Sequence, residues 1–222
     1  EDRRRNPRDD LVSILTGAKD ESLLCEFEEQ PELFDREALG ADMSLANDEL
    51  IKLLVILLVA GNETTRNALS GGMQLLVENP HERKKLIQDP SLIPVAVEEM
   101  VRLVSPVHSF SRTVMQDFEL RDTRLRQGQK VLLLYPSANR DESVFEDADE
   151  FRVERDPAHV AFGIGNHFCL GANLARMELR IIFEELLRRL PDMELDGPVR
   201  RLRSNFVNGV KEMPVRFTPE RA

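Results

Sequence analysis

Apolar residues fill the chain nearly without interruption from Leu53 to Ala60, LLVILLVA, and this run predicts a helix buried on all sides in a large core. Ser44, Asn47 or Asp48 is available to cap that helix, and Pro80 breaks it. Within it, Ala60-Gly61-Asn62-Glu63-Thr64-Thr65 interrupts the apolar pattern with small and polar side chains. The Thr64 hydroxyl can reach the carbonyl four residues back, loosening the helical ladder and opening a groove there. After a linker at Asp89-Pro90, IPVAVEEMVRLVSP has the spacing of a second amphipathic helix. A third begins at Cys169, CLGANLARMELRIIFEELLRRL, with Leu170, Leu174, Met177 and Ile181 spaced four, three and four on one helical face. Residues 105–135 alternate like strands: VHSFSRTVM, a turn near Asp117, FELRD, then VLLLY after Gln127-Gly128-Gln129. Residues 135–159 have many turn formers and little period, and the C-terminal stretch suggests a hairpin around Asn208-Gly209. At the other end, residues 1–18 read as a charged start and a helix capped by Asp9 or Asp10. Residues 19–43 read as a solvated acidic loop.

Composition narrows the function classes. The chain has 222 residues, 41% of them hydrophobic, enough for a sizeable core. A formal charge of -10 argues against nucleic acid as a general partner. Two cysteines, without a CxxC, give neither a disulfide framework nor, with four histidines and no HxxxH, a tetrahedral zinc set. A reducing cytoplasm is the expected compartment, and Cys25, in the acidic stretch, is incidental. No signal peptide is visible, and the longest apolar run, Leu53 to Gly61, is far short of the ~20 residues a membrane span needs.

The chemistry concentrates in Phe162-Gly-Ile-Gly-Asn-His-Phe-Cys-Leu-Gly171. A cysteine ahead of a helix, among convergent backbone N–H groups, is placed to ionise. Gly163, Gly165 and Gly171 let the backbone turn sharply or approach a flat ligand. One soft ligand in isolation suggests a cofactor that brings its other ligands with it. Haem is such a group, and an axial thiolate pushes electron density onto its iron.

This decapeptide resembles the cysteine-ligand loop of the cytochrome P-450 family, FxxGxHxCxG, at every fixed position. The AGNETT segment likewise resembles the family's oxygen-binding helix, [AG]Gx[DE]TT. Glu99-x-x-Arg102, before a proline and an SRT-type strand, resembles its ExxR helix. The resemblance runs through nearly all of residues 44–219 in the family's order. It implies a mainly α fold with small antiparallel β-sheets, the C-terminal, haem-binding portion of a bacterial-type soluble member whose N-terminal half is absent. Two parts follow, a charged helix and acidic loop over 1–43 and the haem-binding core over 44–222.

By the same resemblance Cys169 is the axial ligand of a haem b. Arg112 and His167 hold its propionates, and Ala60, Gly61, Phe162, Gly163 and Gly171 lie against it. Glu63 and Thr64 relay protons towards bound dioxygen. Glu99, Arg102 and a third arginine, Arg155, form a buried structural network, while Ile56, Val59, Val107, Phe206 and Val207 approach the substrate. His108 and His159 read as packing or strand-end residues. The implied reaction inserts one oxygen atom from O2 into an apolar small molecule. Electrons come from NAD(P)H through a reductase and a ferredoxin-type donor, and AGNETTRN with NFVNG points to branches that include steroid and fatty-chain hydroxylases. Two alternatives stand beside this: a haem-binding module for sensing or storage, and a truncated fragment without activity of its own.

Overall fold

The computed structural model describes residues 2–20 and 47–219. The end of the acidic stretch from residue 21, Cys25, Ser44 and the expected 43/44 boundary lie outside them. The chain divides into two compact units, Glu1–Ala60 and Gly61–Ala222.

In the first unit, α1 (Asp2–Arg5) and α2 (Leu11–Asp20) are joined by a tight connection. Asp10 provides the cap, accepting from the Ser13 amide at 2.8 Å, and its other oxygen accepts from Arg3 Nε at 2.7 Å. The unit also holds the start of α3 (Asn47–Glu78). Here one expectation fails: among the described residues Val55, Ile56, Leu58 and Val59 are all more than half exposed. An all-round apolar pattern reports what a helix can bury, not what covers it.

A second expectation also fails. α3 is unbroken α-helix through Ala60–Thr65. A threonine hydroxyl can bond an i−4 carbonyl without taking it from the ladder, and a single interior glycine costs only about 1 kcal/mol. The helix stops where Pro80, lacking an N–H, opens α4 (Pro80–Gln88) in its first turn.

The second unit is organised around α5 (Ile93–Val104), which is buried on nearly every face. Asp89 introduces it through a short 3₁₀ turn, Pro90–Leu92, by accepting from the Ser91 amide at 3.1 Å. Ile93, Ala96, Val97, Met100 and Leu103 meet Met73 and Leu76 of α3, Leu86 of α4, and Phe151 and Val153 of the irregular segment. Gly72 lets α3 come close: a Cβ there would stand 2.8 Å from the Phe183 ring and 3.0 Å from the Met100 sulfur.

Antiparallel pairs flank this core. β1 (Ser109–Thr113) pairs with β4 (Lys130–Leu134), Ser109 facing Leu134 and Thr113 facing Lys130. β2 (Phe118–Leu120) and β3 (Thr123–Leu125) form a hairpin between them. One turn of helix, α6 (Tyr135–Ala138), starts the irregular segment. The long final helix is α7 (Ala172–Arg189). It buries Ala172, Leu179, Phe183 and Leu187, whereas Leu170, Leu174, Met177 and Ile181, the face read from spacing, are 46–83% exposed. The two sets form separate stripes, and the one carrying the phenylalanine won the core.

Beyond α7, β5 (Glu194–Leu195) pairs with β8 (Val215–Arg216), and β6 (Arg200–Arg201) with β7 (Val210–Glu212). The hairpin does not turn at Asn208-Gly209. Leu202 N donates to the Gly209 carbonyl at 2.8 Å, so both residues sit in the returning arm, and the tip is at Ser204–Phe206. Asn208 is drawn there by donating to the carbonyls of Val104 and Pro106. Among the described residues no helix is long and apolar enough to cross a membrane.

Candidate active site

Cys169 sits in the turn leading into α7, three residues before the helix begins. Its amide donates to the Phe162 carbonyl at 2.9 Å and its carbonyl accepts from the Ala172 amide at 3.2 Å, which closes Phe162–Cys169 into a loop. Inside the loop Gly163 (φ 78°) and Gly165 (φ 71°) occupy the left-handed region, where a Cβ would be strained. Gly171 has no such need, with φ −87°, and a Cβ on it would meet nothing within 4 Å. Gly61 in α3 likewise has open space where its Cβ would be. The Cys169 thiol is free and exposed, and Ile164 and Leu170 beside it are more than 80% exposed. One thiol among apolar side chains and small residues fits an apolar planar cofactor that takes a single thiolate.

The other expected cofactor residues are also at the surface. His167 ends the 3₁₀ turn Gly165–His167 and is exposed. Arg112, opposite Val131 in the β1–β4 pair, is exposed and donates to the neighbouring Ser111 carbonyl at 3.1 Å. On α3 Thr64 is half-buried, and Glu63 accepts from Arg66, one turn on, at 2.6 Å. Both members of that pair are half exposed or more, so it contributes at most ~1 kcal/mol and acts mainly to orient the carboxylate. Val107 and Val207 meet in an antiparallel bridge, and Phe206 packs edge-on against Phe110 with centroids 5.6 Å apart. Ile56 and Val59 are exposed in the first unit.

The densest polar structure is on α5. Glu99 and Arg102 are both fully buried, and their carboxylate and guanidinium meet through two bonds, 2.6 and 2.8 Å. Arg155 Nε donates to the same carboxylate at 3.0 Å, and the Arg152 amide adds a fourth donor. Arg102 extends on to the carbonyls of Asn139 and Ala148 at 2.6 and 2.7 Å, while Arg155 reaches that of Glu146 at 2.6 Å. The network therefore fastens the irregular segment 139–155 to α5. Asn139, buried and overlooked in the sequence, extends it: its side chain donates to Ser105 Oγ at 2.8 Å and accepts from the Val160 amide at 2.9 Å. Asn139 thus fixes the chain just before the Cys169 loop.

A second cluster was not expected. Glu98, beside Glu99 but on another face, accepts two bonds from Arg176 of α7, at 2.7 and 2.8 Å. It also meets His159 Nε2 at 3.2 Å. The Ala161 amide donates to His159 Nδ1, so the ring proton is on Nε2 and points at Glu98. Burial pushes the Glu98 carboxyl up, but hydrogen bonds from His159 and Arg176, with the charge of Arg176, outweigh it and hold it at about 2. Arg176 is raised, first by its bond to Glu98, against burial, with the charges of Glu98 and Cys169 adding.

Because Glu98 lies below its ordinary 4.5, the stability it contributes is full above that pH and is lost as pH falls towards 2. It is on the order of 3 kcal/mol. Glu98→Gln is expected to flatten the fall in unfolding free energy between pH 5 and 2. Parallel acid profiles for the two proteins would show that the acid-sensitive group lies elsewhere.

The family model for cytochrome P-450 matches residues 22–191. A steroid C-26 monooxygenase of Mycolicibacterium smegmatis is 44% identical over 220 residues, 98% of this chain and 50% of that protein. A methyl-branched lipid omega-hydroxylase of Mycobacterium bovis is 44% identical over 221 residues, 98% of this chain and 47% of its own length. The tirandamycin C-bound monooxygenase TamI superposes with a TM-score of 0.85 at 37% identity, over 97% of this chain and 50% of that one. The chain spans about half the length of the curated relatives it matches.

Proposed function

Since the chain belongs to the cytochrome P-450 family, whose members carry thiolate-ligated haem, we propose that it is the haem-binding portion of a monooxygenase in which Cys169 supplies the axial thiolate. The observation that carries this is the Cys169 loop: an exposed free thiol before α7, closed by the bond to Phe162, with Gly163 and Gly165 in the left-handed region. Bound haem supplies activation of O2, one atom of which enters an apolar substrate while the other leaves as water, with electrons from NAD(P)H through a reductase and a ferredoxin-type donor.

The chain's own residues bind, orient and move protons. Gly61, Phe162, Gly163 and Gly171 would lie against the cofactor, and Arg112 and His167 would offer donors to its carboxylates. The Thr64 hydroxyl hands on a proton at Oγ1. Glu63, oriented by Arg66, exchanges protons with water behind it. Val107, Phe206 and Val207 would present apolar surface to the substrate. Its proposed class, steroid or fatty chain, is supported by two relatives named for steroid and lipid hydroxylation. The cytoplasm is the proposed location, since no disulfide calls for an oxidising compartment.

The ferrous–CO spectrum of the purified protein tests the ligand. A strongly red-shifted Soret band is expected, and an ordinary haem band would refute thiolate ligation. For the relay, Thr64→Ala is expected to leave that spectrum unchanged and to uncouple NAD(P)H consumption from product, as loss of a positioned proton donor would. Unchanged coupling would favour the sensing or storage module instead. The exposed Val55, Ile56, Leu58 and Val59 favour a further reading, in which these 222 residues are not competent alone. Failure to take up haem in a spectral titration would establish it.

A further inference from the structure

Arg176 joins the carboxylate of Glu98 on α5 to Phe162 of the Cys169 loop. Its fork is fixed by two bonds to Glu98, 2.7 and 2.8 Å, and Glu98 is in turn held by His159 at 3.2 Å. On its other side the guanidinium carbon lies 4.6 Å over the Phe162 ring, and the same ring packs against His159 and Phe168 at 5.7 and 6.3 Å. Phe162 is the residue whose carbonyl receives the Cys169 amide. A planar guanidinium held at its edge and stacked on a ring is a rigid spacer, so the position of Phe162, and through it the Cys169 amide, is set from α5. His159 Nδ1 ties the same block to the backbone at Ala161, one residue before the loop.

We infer that Arg176 is a positioning residue for the Cys169 thiolate: clamped by Glu98 and stacked on Phe162, it fixes the loop backbone and keeps a positive charge near the sulfur. Two effects follow from different parts of the same side chain. The fork and the stack set geometry and need an arginine. The charge draws electron density from the sulfur and needs only a cation, so lysine would keep it while losing the flat fork.

Amide hydrogen exchange of the purified protein reads the first effect without the cofactor. Arg176→Met, Arg176→Lys and Glu98→Gln are each expected to speed exchange at the Cys169 amide about tenfold, while amides within α5 keep their protection. Unchanged exchange at Cys169 in all three would overturn the clamp, as would an equal rise throughout α5, which would mean simple destabilisation. If Arg176→Met does not fold, the other two variants decide. The second effect rests on the haem-thiolate reading and is read as the reduction potential of the haem-loaded protein. Arg176→Met is expected to disfavour reduction by several-fold in the equilibrium, with Arg176→Lys restoring most of it. Equal potentials in all forms would remove the charge from the inference. A parent protein without the thiolate spectrum would refute the ligand assignment, and the exchange arm would still decide the clamp.

Discussion

Replacing Cys169 by serine will remove the red-shifted ferrous–CO band entirely while leaving the protein folded. The side chain is exposed and makes no packing contact that holds the core, and the loop bonds at this position are made by its backbone, which serine keeps. Surface substitutions of this kind usually change stability by no more than about 0.5 kcal/mol. A hydroxyl, in contrast, has neither the softness nor the acidity of a thiol, so the electron donation that marks the ligand is lost with a single atom. Thermal unfolding should be superimposable on the parent, and the ferrous–CO spectrum should shift to that of an ordinary haem or vanish. A red-shifted band surviving in Cys169→Ser would assign the ligand to another residue and remove the basis of the proposed activity.

The elements were legible where local chemistry decides them. Pro80 marks a helix boundary, and the alternation before and after Asp117 gives strands that pair as β1 and β4. Faces were less legible. α7 carries two apolar stripes of helical spacing, and periodicity cannot say which one the rest of the chain covers. Only the contact of Phe183 with Met100 and Gly72 across the core selects it. Asn208-Gly209 looks like a two-residue hairpin turn, but bonds from Asn208 to Val104 and Pro106 outweigh that local preference. In the site, Cys169 and its glycines could be found because they are contiguous. Glu98, His159 and Arg176 are separated by 61 and 78 positions and have no local signature, so only the folded chain brings them together. Asn139 was hidden for the opposite reason, being one of several turn formers in a stretch where any of them might have been solvated.

Removing the Glu99 carboxylate is expected to be the most destabilising of these changes. Glu99 is fully buried and accepts from Arg102 twice, from Arg155 and from the Arg152 amide. In Glu99→Ala the Arg102 guanidinium, also fully buried, would keep its bonds to Asn139 and Ala148 but lose its counter-charge. An uncompensated buried charge costs about 3 to 5 kcal/mol, against a total stability of roughly 5 to 15 kcal/mol for a typical domain. Arg155→Ala should cost less, about 1.5 to 3 kcal/mol, because it takes a hydrogen bond from a charged group but leaves Glu99 paired with Arg102. The order of the two variants is the sharper test, since partial exposure already solvates Arg155. Because the network fastens residues 139–155 to α5, and Asn139 continues it to Val160 at the edge of the Cys169 loop, the loss should appear first as failure to retain haem. Denaturation midpoints and haem content measured together should fall in the order parent, Arg155→Ala, Glu99→Ala. Full haem content in Glu99→Ala with an unchanged midpoint would show that the buried pair does not hold the loop in place.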